Sequence, residues 1–398
     1  MISCQEHLLT RTPLLINHQS IIHNSTSNLT FTTMQRIGYL CGSESWGGLE
    51  MNQWRNARWM KQRGHEVIVF GKAGSKLEQY CLEEQLPFVA VPAYKKYYDF
   101  SVARKLNRLL KEHNVNHLII RDVRDMSVAA LAKYWFSHSF KLHYFMEMQL
   151  GVSKRNLLHT LRFRQLDTWS CPLHWLEEQV KTKTRMPHDR IIHIPSGLEL
   201  APLQQSLSKE EARRLLDVPQ SGILIGLAGR FDPQKGQLLL LEVARQLSGQ
   251  SFGIVFLGAP THNEGESYHR EMMDLINTAG LSDRVFVRPF RNDIQTFYKA
   301  IDAFVMASEA ETFGMVTIEA MACGTPVIGS NAGGTPELLQ FGELGYLFEP
   351  LSSSDLALRL SDFLKNPHVF PGEKLEQAMQ LFDHHSVCEL VEHRLVNQ

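Results

Sequence analysis

Ser308-Glu-Ala-Glu-Thr-Phe-Gly-Met-Val-Thr-Ile-Glu-Ala-Met-Ala-Cys-Gly-Thr-Pro-Val-Ile-Gly-Ser-Asn-Ala-Gly-Gly-Thr-Pro-Glu-Leu-Leu339 is the stretch that decides the fold. An apolar run, Ala303 to Met306, precedes it and reads as a strand. Thr312 to Gly314 form the mouth of a short helix expected from about Met315 to Ala322. Gly324-Thr-Pro ends that helix, because a Gly sits well just past a helix and a Pro cannot continue one. Pro326 to Gly329 has the pattern of a short buried strand. Asn331 to Gly334 turns into another helix start. Two helix mouths at the carboxyl ends of neighbouring strands aim unpaired N–H groups at one crevice, a geometry suited to a phosphate. Glu311 and Glu319 bracket the first mouth with seven residues between them. Carboxylates are acceptors for sugar hydroxyls, so acids beside a phosphate cradle point to a phosphorylated sugar. A plain surface helix also carries such acids. Phe313-Gly314 between them, with Gly-Thr-Pro and Gly-Gly following in order, weighs against that reading.

The stretch resembles the donor-binding signature of retaining glycosyltransferases of family 4, which have the GT-B fold. The resemblance implies that Glu311 contacts the donor sugar and Glu319 the ribose hydroxyls. It also implies that the amides of Phe313, Gly314 and Met315 touch sugar and diphosphate. Upstream, Gly229-Arg-Phe-Asp-Pro-Gln-Lys-Gly236 resembles the family's diphosphate loop. There Arg230 and Lys235 sit beyond a strand end, where cations neutralise a leaving diphosphate. The loop around Phe290 and Arg291 is where the family's nucleobase rests.

In the first half, Ile37 to Leu40 reads as a strand and Gly42 to Glu50 as a Gly-rich turn. A helix over Met51 to Arg63 and a second strand complete a βαβ unit. The turn is not G-x-G-x-x-G, which argues against a simple NAD fingerprint. Gly47-Gly48 makes either a tight turn or a close approach to a phosphate. The family's G-G-x-E at this loop selects the second. Strands are expected at Pro87–Val91, His117–Ile120 and Lys141–Met148, and helices at Leu106–His113, Met126–Trp135 and Leu157–Leu166. This alternation gives a parallel, doubly wound sheet. Arg121, Asp122, Glu147 and Gln149 then lie at strand ends facing the crevice. Many family members place a His near Glu147. Here His143 lies earlier, inside the strand, so Glu147 is either its catalytic substitute or a solvated loop acid. Lys154, Arg155, Arg162 and Arg164 accompany Leu157, Leu158, Leu161 and Leu166. They form either a solvated helix face or a basic amphipathic helix against an anionic membrane surface.

The expected architecture is α/β, with two Rossmann-like doubly wound domains facing across a cleft. Residues 1–35 are a loose tail, with Met34 a natural start, because His18 to Thr33 is too polar to fold alone. Residues 36–200 form the acceptor-side domain and residues 201–374 the nucleotide-sugar domain. Residues 375–398 are helical with a break near Phe382, and in the resembling fold such a helix crosses back to the first domain. The chain of 398 residues is long enough for two cores. A net charge of −1 gives no general attraction to nucleic acid. The six cysteines are scattered without a C-x-x-C, which fits free thiols in a cytoplasmic setting. No apolar run reaches the ~20 residues needed to span a bilayer. No D-x-D occurs in the chain, so no metal site is expected and no cofactor beyond the donor itself.

The expected function is transfer of a hexosyl group from a nucleotide sugar to a hydroxyl of a glycan or lipid-linked acceptor, as in polysaccharide or lipopolysaccharide assembly. Candidate catalytic residues are Glu311, Arg230, Lys235 and Glu147. A sugar-nucleotide epimerase shares the fold, and a phosphorylase would need a pyridoxal lysine. A non-catalytic nucleotide-sugar sensor is the rival from another class. Retention of both acids and both cations weighs against it.

Overall fold

Apolar strands alternate with helices through most of the described residues. The computed structural model describes residues 34–136, 139–260, 265–367, 370 and 372–396. The expected tail over 1–33 lies outside the described residues. The first domain runs β1 (Arg36–Cys41), α1 (Gly48–Gln62), β2 (Glu66–Gly71), α2 (Lys76–Glu83), β3 (Phe88–Ala90), α3 (Phe100–Glu112), β4 (His117–Ile120), α4 (Val123–Trp135), β5 (Lys141–Phe145), α5 (Leu157–Phe163), β6 (Thr168–Cys171), α6 (His174–Lys183) and β7 (Ile191–His193). The second runs α7 (Leu200–Gln204), α8 (Lys209–Leu216), β8 (Ile223–Ala228), α9 (Gln237–Gln246), β9 (Phe252–Leu257), α10 (Glu266–Thr278), β10 (Val285–Arg288), α11 (Ile294–Ala300), β11 (Ala303–Met306), α12 (Met315–Ala322), β12 (Val327–Ser330), α13 (Thr335–Leu338), β13 (Tyr346–Phe348) and α14 (Ser353–Lys365). α15 (Gly372–Phe382), α16 (His384–Val391) and a last turn over Glu392–Val396 follow.

Both sheets are parallel. Their strand orders are β3-β2-β1-β4-β5-β6-β7 and β10-β9-β8-β11-β12-β13. Central strands β4 and β11 are buried at every residue, as expected when helices cover both faces. In each sheet the order reverses once, between β1 and β4 and between β8 and β11. At such a point the two following loops part to opposite faces and leave a crevice at the strands' carboxyl ends. The fold therefore fixes two crevices before any ligand is considered.

Two features tie the domains. Chain crossings at Leu198 and Phe382–His384 are zipped together by Leu198 N–H to the Phe382 carbonyl (2.8 Å) and His384 N–H to the Leu198 carbonyl (3.0 Å). Beyond that break, Val387, Cys388, Val391, Leu395 and Val396 join the core cluster of Ile37, Tyr39, Trp59 and Met60. Glu392 accepts two hydrogen bonds from Arg63 (2.7 Å each) and lies 3.1 Å from His65 Nε2. Burial alone raises a carboxyl pKa, but the bonds from Arg63 and His65 outweigh it and hold Glu392 at about 2. The folded pKa lies below the unfolded one, so this stabilisation is present above the unfolded value and is lost as pH falls toward the folded value. Glu392→Gln is expected to cost roughly 2–3 kcal/mol at about pH 7, with the difference from wild type shrinking to about half of that by about pH 3, on its way to zero below the folded pKa. Urea melts at the two pH values check this, and a constant difference across them contradicts it.

The basic segment is a correction. Its helix spans only Leu157–Phe163, because Asn156 caps the start and the backbone turns at Arg164. Arg162 is turned inward, donating to Ser127 Oγ (2.9 Å) and lying over the Tyr97 ring. A continuous basic face does not form. Leu157 and Leu161 are exposed beside Arg155 and Arg164. Among the described residues no helix is long and apolar enough to cross a membrane.

Candidate functional site

The second crevice is built by the loops after β8 and β11. Pairing of Ala303 with Ile225 and of Phe304 with Gly226 sets these strands side by side. Lys235 and Glu311 are distant in sequence but meet there, with Nζ 2.6 Å from Oε2. Ser308 Oγ lies 3.4 Å from the same carboxylate oxygen. Both side chains of the pair are only partly buried, so a ligand has access to them. Arg230 sits on the same loop as Lys235 and is exposed. Its guanidinium makes no hydrogen bond or ion pair with a described residue.

Gly314 takes φ +94°, a left-handed conformation that favours Gly, and starts α12 without a side-chain cap. The amides at this mouth are thus left for a ligand or water. The Phe313 ring is buried against Phe382, so Phe313 offers the crevice its backbone and not its ring. Met315 is the first residue of α12 and is half-buried. Phe290 is 68% exposed on the loop after β10, as an aromatic surface open to a planar ligand must be.

The second expected helix mouth is a correction. α13 has only four residues, and its Gly pair supports Glu311. Gly334 N–H donates to the Glu311 carbonyl at 2.8 Å. A Cβ on Gly333 would lie 2.1 Å from that same carbonyl oxygen. The Gly-Gly turn therefore buttresses the Glu311 loop by backbone contact and is not itself an anion cradle.

Glu319 lies one helix turn further along α12. Its Oε2 accepts from the Tyr298 hydroxyl at 3.1 Å. Burial pushes its pKa above the usual carboxylate range, and the Arg55 guanidinium and the Tyr298 hydroxyl offset this only in part. Arg55 belongs to α1 of the other domain, so a positive charge that acts on this acid comes from across the cleft.

The first crevice is lined by the loops after β1, β4 and β5. Gly47 caps α1, with its N–H on Glu50 Oε2 at 3.0 Å. Gly47 has an extended φ of −152° that any residue adopts, and a Cβ on Gly48 would meet nothing within 4 Å. Neither packing nor backbone conformation calls for Gly at either position: a Cβ on Gly47 would make only ordinary contact with Glu50 Oε2 at 3.6 Å, and the space in front of Gly48 is open. Glu147 is not a solvated loop acid. It is ion-paired with Arg121 and accepts from Asn52 Nδ2 at 3.2 Å, and its side chain is 10% exposed. Burial pushes its pKa up more than Arg121 and Asn52 pull it down. His143 is sealed beneath, stacked on His117, and burial lowers its pKa, so it offers the crevice nothing.

The domains meet at Glu337. Its carboxylate accepts from the backbone amides of His174 (2.8 Å) and Trp175 (2.9 Å), capping α6, which has no side-chain cap of its own. His174, His193 and Glu337 hold ligand atoms within 4.8 Å of one another. The two imidazoles stack with centroids 4.4 Å apart, however, so their in-plane lone pairs do not converge on one point. The cluster is a latch between the domains.

With this geometry in place, the chain matches two known families over most of its length. Residues 46–201 match Glycosyltransferase Family 4, and residues 208–380 match Glycosyl transferases group 1. The chain belongs to the family 4 glycosyltransferases of GT-B fold. Among solved structures, Anabaena Alr3699/HepE in complex with UDP superposes with a TM-score of 0.81 at 21% identity, covering 92% of this chain and 100% of that one. A glycosyltransferase from Rickettsia africae superposes at 0.80 with 19% identity, over 92% and 100% of the two chains. At these identities the likeness is one of fold. The D-inositol 3-phosphate glycosyltransferase of Mycolicibacterium smegmatis is 30% identical over 187 residues, 46% of this chain and 42% of that protein. The chain thus spans less than half the length of the curated relatives it matches. In this family 4 chain, sequence reading missed Tyr298, Arg55 and Glu337 as partners of the site. The first two lie outside any motif. Glu337 lies three residues past the Gly-Gly turn, and that position is its one signal.

Proposed function

We propose that the chain is a retaining glycosyltransferase that moves a sugar from a nucleoside diphosphate to a hydroxyl of a glycan or lipid-linked acceptor. The observation that carries this is the Lys235–Glu311 pair, 2.6 Å apart at the uncapped mouth of α12. It puts a cation for a departing diphosphate beside an anion for the sugar that develops positive charge. Arg230 adds a second cation, and the amides of Phe313, Gly314 and Met315 complete the anion site. Glu319 takes the ribose and Phe290 the base. Gly47 and Gly48 leave room for phosphate from the opposite wall. Glu147 stands on the acceptor side. Resemblance to the family favours front-face transfer, in which the departing phosphate takes the acceptor's proton. The Anabaena protein of the same fold is in complex with UDP, which favours a uridine nucleotide as the first donor to try.

A panel of nucleotide sugars followed by thermal melting tests the reading, because a ligand specific to the folded state raises the melting point. One donor should raise it by a few degrees. Free nucleoside diphosphate should then be released only when an acceptor is added, and release should survive EDTA. Loss of activity with chelator and recovery with Mn²⁺ or Mg²⁺ would overturn the metal-free assignment. No shift with any nucleotide sugar would overturn the donor assignment.

A further inference from the structure

Glu319 can read a ribose only if its carboxylate is held in one orientation, and the structure supplies the group that holds it. Tyr298 is fully buried on α11. Its ring is locked by T-shaped contacts with Phe297 (5.3 Å) and Phe304 (5.5 Å). Two bonds pin its helix to the far end of α12: Thr325 Oγ1 to the Tyr298 carbonyl and Lys299 Nζ to the Cys323 carbonyl, both 2.9 Å. The hydroxyl therefore has one place to be. It lies 3.0 Å from the Val316 carbonyl and 3.1 Å from Glu319 Oε2.

One phenolic hydrogen faces two acceptors. Val316 lies inside α12, where its carbonyl is placed to accept the N–H four residues on. Glu319 Oε2 has no other hydrogen bond among the described residues. The phenolic hydrogen therefore points to Glu319, which fixes Oε2 on the protein side. Oε1 takes no hydrogen bond and is not among the sealed polar atoms, so it is the oxygen left for an incoming hydroxyl.

We propose that Tyr298 is a positioning residue for ribose recognition, presenting Glu319 Oε1 to the hydroxyls of a nucleoside diphosphate. This rests on the assignment of Glu319 to the ribose. The mechanism is geometric. Without the phenol, the Glu319 side chain is free to rotate, and a hydroxyl that binds it must first order it. The hydroxyls of the ligand and the hydroxyl of Tyr298 are therefore coupled, and removing both should cost less than the sum of removing each.

The test measures binding of UDP and GDP, each with its 2′-deoxy and 3′-deoxy forms, to wild type and to Tyr298→Phe by calorimetry. Phe keeps the ring and its packing, and a melting temperature close to wild type confirms that the domain is intact. Wild type should prefer at least one ribonucleotide over its deoxy form by about 10-fold or more, the range of a hydrogen bond to a charged group. In Tyr298→Phe that ratio should shrink to about 3-fold or less, mainly through weaker ribonucleotide binding. An unchanged ratio in the variant overturns the positioning role and leaves Glu319 on the ribose. A wild type that binds the nucleotides without discrimination overturns the ribose assignment and this proposal with it. A wild type that binds neither UDP nor GDP overturns a uridine or guanosine donor, and this proposal with it.

Discussion

Lys235→Met should lower kcat by about two to three orders of magnitude while raising the donor KM much less. In the proposed reaction Lys235 stands where charge appears on the departing diphosphate, and a donor aimed at developing charge acts mainly in the transition state. Its partner is Glu311, at 2.6 Å. The proposed roles require that pair to open on donor binding, the ammonium turning to phosphate and the carboxylate to sugar. Removing Lys235 thus deletes the cation and leaves Glu311 without its counter-charge. Glu311→Gln should also act on kcat, because a carboxylate stabilises the positive sugar more than the neutral ground state. Glu319→Gln behaves differently, since the ribose is unchanged in the reaction. It should raise the donor KM by about 10- to 150-fold with kcat near wild type. Folding separates from function here. Lys235 and Glu311 are 27% and 19% exposed, and such partly solvated pairs contribute about 1 kcal/mol or less. Initial rates over a range of donor concentrations check all three. If Lys235→Met raised KM and left kcat alone, Lys235 would be a ground-state binding residue and the leaving-group role would fall.

The reasons these residues meet lie at different depths in the sequence. The bounds of β4, β11 and α12 were legible, because each is a continuous apolar run or is closed by Gly and Pro. The acids Glu311 and Glu319 were legible for the same reason, as one motif on one loop and helix. The pairing of Glu311 with Lys235 was not legible from spacing, since it depends on β8 and β11 being neighbours in the sheet. Strand order is a property of crossovers and not of local pattern. Glu147 shows the same limit. Its strand-end position could be read, but its burial could not, because burial comes from Arg121 on the adjacent strand end and Asn52 on α1. The Gly-Gly turn was misread as an anion site, since a Gly pair before a helix has the same sequence whether it faces a phosphate or another backbone. Only the 2.1 Å approach of a would-be Cβ to the Glu311 carbonyl separates the two. Tyr298 had no signal at all, being an apolar-patterned residue whose one polar atom happens to reach the site.

Arg121→Met should destabilise the protein by roughly 3–5 kcal/mol, the cost of stranding one member of a buried ion pair. Arg121 and Glu147 are 6% and 10% exposed, and both lie at the crevice of the first sheet. The sign of the pH dependence follows from Glu147. Its folded pKa already lies above the usual carboxylate value because burial outweighs its partners. Such an acid favours the folded state below its unfolded pKa and loses that contribution as pH rises through the folded pKa. Without Arg121 the folded pKa climbs further, so the deficit of Arg121→Met should be small at about pH 5 and largest at about pH 8. Urea melts at both values measure it, and a deficit independent of pH would mean that the lost guanidinium acts through packing on Phe145 and not through charge. The double change Arg121→Met with Glu147→Leu should recover much of the stability, since an apolar pair of similar volume often replaces a buried ion pair at little cost. That recovery makes the functional question separable. Glu147→Gln keeps the side-chain shape but leaves Arg121 without its counter-charge, so its rate is read on protein shown to be folded; if Glu147 acts on the acceptor it should lower kcat by about 100-fold or more. The stabilised double variant should be equally inactive despite its sound fold. If instead Glu147→Gln turns over normally, Glu147 is a structural acid whose task is to hold Arg121 and α1 together, and the acceptor side of the reaction must be sought among other residues of that crevice.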